Sequence, residues 1–158
     1  MKYVDEMICF QEVPDEITLS FSISNCPRRC AGCHSPYLAQ DVGSSIEDRI
    51  NDALRANMGL ISCVLFLGGD DDKQVSELEK CIDTCKEAGL KVALYSGSDE
   101  FPERIADKLD YVKYGHYDEQ RGGLNNPNTN QRMLKRNGNE WIDITSRFWK
   151  KTKEIYEN

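Results

Sequence analysis

The feature that most constrains this chain is a rhythm of short apolar runs and amphipathic stretches between Ile17 and Tyr114. Ile17-Thr18-Leu19-Ser20-Phe21-Ser22-Ile23 is apolar at odd positions, the period of a strand with one buried face. Ser62-Cys63-Val64-Leu65-Phe66-Leu67 is almost wholly apolar, as expected of a central strand covered on both faces. Lys91–Tyr95 and Tyr111–Tyr114 read as two further strands. Between them the spacing predicts helices. The first follows Ser45, which stands at capping-box spacing from Asp48; its stripe is Ile46, Ile50, Ala53 and Leu54, and Gly59 lies just past its end. The second covers about 72–88, with Val75, Leu78, Ile82 and Cys85 on one face and Gly89 closing it. The third covers about 100–109 and shows Phe101, Ile105 and Leu109. Strands that alternate with helices over short connections pair in parallel through right-handed crossovers. The expected class is therefore α/β, a short, incomplete (β/α) barrel or an open parallel sheet, in a single domain over residues 1–158.

Outside this rhythm the signals are weaker. Met7–Val13 reads as a short edge strand, Pro14-Asp15 as a turn and Ser35–Ala39 as a helical turn. Gly122–Asn128 is a polar loop by composition, Trp141–Thr145 a last strand, and 147–156 a short helix or tail. A net charge of −7 argues against sequence-independent binding to nucleic acid or anionic lipid, which needs clustered positive charge. No stretch approaches the ~20 apolar residues of a membrane span. Asp5 and Glu6 stand where a signal peptide would be apolar, so a cytoplasmic, reducing compartment is expected.

Seven cysteines in such a compartment do not form a disulfide framework. Cys9, Cys63, Cys81 and Cys85 read as core residues, Cys81 and Cys85 sharing a helix face. Cys26, Cys30 and Cys33 differ: they form a C-x3-C-x2-C loop directly after the first half-buried strand. Three crowded thiolates call for a soft cation. Structural zinc usually draws ligands as two pairs, and no second pair appears. Cys30-Ala31-Gly32-Cys33-His34 has the form of a c-type haem site, and a redox C-x-x-C is a further reading, but both leave Cys26 unexplained. A [4Fe–4S] cluster on three cysteines leaves one iron open to a ligand. His34 reads as a loop side chain beside such a site, and Arg28 and Arg29 as solvated, as offsetting its charge, or as meeting an acidic partner or electron donor.

Ligand sites in parallel α/β sheets gather at the carboxyl ends of the strands. The cysteine loop, Gly68-Gly69-Asp70, Ser96-Gly97 and Gly115-His116 each follow a strand, so parallel pairing would bring all four to one rim. Two glycines without Cβ atoms let a ligand lie against the strand ends, and Asp70 offers a carboxylate to an ammonium group.

C-x3-C-x2-C after the first strand, with Gly-Gly-acid after the second, resembles the radical S-adenosylmethionine superfamily. Asp110-Tyr111-Val112-Lys113-Tyr114-Gly115, Gly122-Gly123-Leu124 and Thr129-Asn130-Gln131-Arg132 add a resemblance to the activating proteins of anaerobic ribonucleotide reductases. The resemblance runs from about Thr18 to Arg132. It implies a barrel or sheet of the radical S-adenosylmethionine type, with Cys26, Cys30 and Cys33 holding one [4Fe–4S] cluster. It implies that Gly68, Gly69, Asp70, Ser96 and Gly97 bind S-adenosylmethionine, with no catalytic residue beyond cluster and cofactor. The implied activity is reductive cleavage to a 5′-deoxyadenosyl radical that makes a glycyl radical on the large reductase subunit. The implied partners are that subunit and a low-potential electron donor such as flavodoxin or ferredoxin. His116 stands where the family pattern has proline, and Thr129–Arg132 reads either as a capped polar loop or as a contact for the partner. Alternatives are another radical enzyme of this superfamily (a different glycyl-radical activase, or a small-molecule dehydratase or isomerase) and a non-catalytic metal-stabilised binding module.

Overall fold

The computed structural model describes residues 1–28 and 36–149. They form an α/β fold around one open, mixed, eight-stranded sheet. The strands are β1 (Lys2–Cys9), β2 (Thr18–Ile23), β3 (Ser44–Ser45), β4 (Cys63–Leu67), β5 (Lys91–Tyr95), β6 (Tyr111–Tyr114), β7 (Arg132–Asn137) and β8 (Glu140–Asp143). Their order is β3-β1-β2-β4-β5-β6-β7-β8. The central four, β2, β4, β5 and β6, are parallel; β1, β3, β7 and β8 flank them antiparallel, so the expected parallel sheet is the middle of a mixed one. Two α-helices, α1 (Ile46–Asn57) and α2 (Val75–Glu87), fill the first two crossovers.

The period-2 pattern decides what lies on each face. Leu19, Phe21, Ile23, Val64, Phe66, Val92, Leu94 and Val112 pack against Ile46, Ile50, Ala53 and Leu54 of α1 and Val75, Leu78, Cys81, Ile82 and Cys85 of α2. The alternate residues Cys63, Leu65, Ala93 and Tyr111 form a second cluster with Val13, Leu124, Met133 and Ile144. The near-continuous apolar run of β4 follows from this: both of its faces are covered. Cys63, Cys81 and Cys85 are buried as expected and Cys9 partly so. Burial pushes the Cys81 and Cys85 thiols up to about 12.

Four expectations are corrected. The first strand begins at Lys2 and ends at Cys9, because it pairs along β2 with Glu6 opposite Phe21; Val13 is instead a buried loop residue. No capping box forms at α1, since the backbone of Ser44-Ser45 is spent on a short ladder with β1 and the Ser45 hydroxyl donates to Glu47 at 3.0 Å. The segment 100–109 is no α-helix. Pro102 lacks an N–H, and hydrogen bonds three residues apart lead into a 3₁₀ turn at Ala106–Lys108, with Ile105 and Leu109 still buried. Strand β7 was not expected at all. The helical turn at Pro36–Ala39 and a last strand near Trp141 are present; of the expected 147–156 segment, residues 147–149 are helical and the rest lies outside the described residues.

Candidate functional site

Parallel pairing brings the ends of β2, β4, β5 and β6 to one rim, and hydrogen bonds knit that rim together. The Gly68 N–H donates to the Tyr95 carbonyl at 3.1 Å, Ser96 N–H to Lys113 at 2.7 Å and Gly115 N–H to Ser98 at 2.7 Å. Gly68 and Gly69 have φ of +101° and +91°, so the turn after β4 lies in backbone territory that side chains disfavour. A Cβ on Gly69 would also stand 2.9 Å from the Met1 sulfur.

The cysteine loop leaves β2 through Asn25, whose φ of +62° an asparagine tolerates. Its base is clamped: Asn25 N–H donates to the Gln40 carbonyl at 3.2 Å and Cys26 N–H to that of Leu38 at 2.8 Å. Cys26 is a free, partly buried thiol lining a cavity of about 220 Å³ beside Gly68, Gly69, Ser96 and Gly97. Cys30 and Cys33, with Arg29 and His34, lie outside the described residues. Among the described residues no group of three metal-ligating side chains occurs.

Asp70 is the sharpest feature of this rim. Its side chain is only 5% exposed. Oδ2 accepts a 2.5 Å hydrogen bond from the Ser96 hydroxyl and faces the Arg28 guanidinium at 3.5 Å. Oδ1 is buried and has no hydrogen-bond partner among the described residues. An unmatched buried carboxylate oxygen is costly and marks a place where a donor belongs. Ser96 is itself buried and fixed by the Ser98 N–H, which donates to its hydroxyl at 3.0 Å.

Lys113 was missed by the motif reading, although the phase of β6 points to it. It stands opposite Tyr95 in register, on the face away from the helices, and lines the same cavity. Its ammonium lies 4.7 Å from the Tyr95 ring centre. Desolvation pulls its pKa down to about 8. The cavity wall thus carries both signs, Lys113 and Arg28 against Asp71, with the buried Asp70 facing Arg28, so that it offers partners to both ends of a zwitterion.

A second hollow of about 590 Å³ adjoins the first and shares Arg28, Gly97 and Tyr117 with it. His116 sits on its wall, its Nδ1 2.7 Å from Asp99. The side-chain and then the backbone hydrogen bond from His116 hold the Asp99 carboxyl below its usual range. Thr129–Arg132 takes on a structural part. Thr129 Oγ1 donates to the Gly122 carbonyl at 3.1 Å, Asn130 Nδ2 to that of His116 at 3.1 Å and Gln131 Nε2 to that of Gly115 at 3.4 Å. This stretch binds the loop after β6 to the start of β7 and brings Gln131 to the smaller cavity. No family model matches this chain, and no curated protein or solved structure matches it.

Proposed function

We propose that this protein is a radical S-adenosylmethionine enzyme that activates an anaerobic ribonucleotide reductase. The observation that carries the reading is Asp70: a buried carboxylate with an oxygen unpaired among the described residues, following a diglycine turn and held against Ser96 and Arg28, which line the cavity together with Cys26. The amino group of S-adenosylmethionine supplies the donor that Oδ1 lacks, and Lys113 supplies a cation for its carboxylate. Gly68, Gly69 and Gly97 let the ligand approach the strand ends, while Ser96 orients Asp70. Cys26, with Cys30 and Cys33, would hold one [4Fe–4S] cluster. Such a cluster, given one electron by a flavodoxin- or ferredoxin-like donor, would supply reductive cleavage of S-adenosylmethionine to methionine and a 5′-deoxyadenosyl radical, which would take a hydrogen atom from a glycine of the large reductase subunit to leave 5′-deoxyadenosine and a glycyl radical. The protein's own part is to bind, orient and exclude water.

The sequential order β2-β4-β5-β6, with both helical crossovers on one face, supports a short, incomplete (β/α) barrel of that superfamily. Anaerobic reconstitution is the test. A brown protein with about four irons and four sulfides per chain, cleaving S-adenosylmethionine after reduction, is expected. Cys30→Ala should lose the cluster and the cleavage yet remain folded by circular dichroism. A colourless protein that takes up zinc, or full cleavage by the Cys30→Ala protein, sinks the reading. Adding an anaerobic reductase and finding a glycyl radical by electron paramagnetic resonance separates reductase activation from other radical chemistry.

A further inference from the structure

The Arg28 side chain, which the sequence leaves open as solvated or as a charge near the site, is only 23% exposed and lies against Asp70. Its stem crosses Gly97 so closely that a Cβ there would come within 2.9 Å of Arg28 Cδ. Its contact with Asp70 is nonetheless loose. Arginine and carboxylate reach full strength as a bidentate pair near 2.8 Å. Here a single nitrogen faces a single oxygen at 3.5 Å, that oxygen is already bonded to Ser96, and Oδ1 is left unpaired. This geometry keeps a buried carboxylate from standing uncompensated and satisfies it only in part.

We infer that Arg28 is a built-in competitor for the ammonium position: its guanidinium covers Asp70 until the amino group of a ligand displaces it. The inference rests on the reading of Asp70 given above. A compact ammonium carries three donors and can serve Oδ1 as well as Oδ2, which the guanidinium does not. The displaced side chain has a place to go. Arg28 and Gly97 line both hollows, and the larger one carries Asp99, Asp118 and Glu119 on its wall. Arg28 is near enough to Asp99 that its charge, after the contributions of His116, helps to keep that carboxyl ionised. The arginine therefore moves between one buried carboxylate and an acidic wall, and the cofactor must win Asp70 from it. Ligands without a free ammonium gain nothing from the exchange.

The test is calorimetric titration of S-adenosylmethionine into anaerobically reconstituted protein, with wild type, Arg28→Met, Asp70→Asn and the double variant compared. Methionine keeps an unbranched apolar stem over Gly97 and removes the charge. If the contact is closed in nine molecules of ten, Arg28→Met binds about tenfold tighter, because that fraction taxes the apparent affinity. The same substitution on the Asp70→Asn background changes affinity less than about twofold, since the contested charge is gone. In protein labelled with [15N]arginine, the Arg28 Nε resonance shifts on adding S-adenosylmethionine, a readout independent of turnover. Unchanged or weaker binding by Arg28→Met overturns the inference while leaving the cofactor site standing. Equal tightening in both backgrounds overturns it too. Wild type that does not bind S-adenosylmethionine, or binds it no better than Asp70→Asn, removes the reading of Asp70 and the inference with it.

Discussion

Two carboxylates are buried to nearly the same degree at opposite ends of the parallel strands. Glu16, just before β2, is 4% exposed and Asp70, just after β4, is 5% exposed. Glu16 Oε2 accepts from Lys91 Nζ at 3.2 Å and from the Tyr111 hydroxyl at 3.3 Å, and among the described residues Glu16 has no buried oxygen without a partner. Asp70 leaves one oxygen unpaired among the described residues, and Lys113, which lines the cavity at that rim, makes no ion pair among them. One end of the sheet spends its charges on itself, while the other keeps them for something else. The positive-φ Gly68, Gly69 and Gly115 and the two hollows lie at that second end.

The largest expected effect breaks this comparison from both sides. Asp70→Asn removes the ammonium's charged acceptor and should weaken S-adenosylmethionine binding roughly ten- to a hundredfold. Its effect on stability should stay within about 1 kcal/mol, because the native carboxylate is only half satisfied. Glu16→Gln should do the reverse, losing about 1–3 kcal/mol in urea unfolding while leaving binding unchanged. A stability loss at Asp70 as large as that at Glu16 would mean that both ends are structural.

Lys113 gives a second, pH-dependent contrast. Its folded pKa of about 8 lies below the ordinary lysine value of about 10.4, so folding disfavours its charged form. The penalty is fully present below about 8, fades as pH rises, and is gone above the unfolded value. Lys113→Met should therefore be more stable than wild type near pH 6.5, by up to about 2–3 kcal/mol, with the gap closing near pH 10. The same variant should bind S-adenosylmethionine more weakly, because the ligand carboxylate loses its cation. Chemical denaturation at both pH values checks the sign; a gap independent of pH would show that desolvation of the charge is not its cause.

The parallel half of the fold was legible because its signals are redundant. In β2, β4 and β5 hydrophobic phase, strand length and turn residues agree, and the stripes of α1 and α2 are buried as read. The rim followed from topology alone: the loops after β4, β5 and β6 meet there with the described start of the cysteine loop, Cys26–Arg28. What failed was local and polar. The segment 100–109 has helical spacing, but Pro102 replaces α-helical bonds by tighter ones. In β7 only Met133 is buried, so Leu134-Lys135-Arg136 shows no alternation; the Gly138-Asn139 pair between Asn137 and Glu140, with φ of +64° at Gly138, was the hairpin signal to use. At the site, residue types were readable and pairings were not. Asp70 carried its own motif, but that Ser96 orients it and Arg28 covers it depends on side chains from three separate loops, which no spacing along the chain encodes.

The smallest effect sharpens the quiet end of the sheet. Tyr111 is buried on β6, and its hydroxyl lies 3.4 Å from the Pro14 carbonyl and 3.3 Å from Glu16. Glu16 sets the polarity of this contact: it is an acceptor at that end, so the phenol donates, and the Glu16 charge helps hold the Tyr111 hydroxyl in its protonated form, behind the larger contribution of burial. Tyr111→Phe keeps the ring, its packing against the second core cluster and the overlying Lys135, and deletes one long hydrogen bond. The cost should be about 0.5–1.5 kcal/mol, smaller than that of Glu16→Gln, which alters the Lys91 and Tyr111 contacts together. Because these residues share one carboxylate, the double variant should cost less than the sum of the two single changes. Strict additivity in urea unfolding would mean that Tyr111 and Glu16 act independently, and that the base of the sheet is held by packing rather than by this polar cluster.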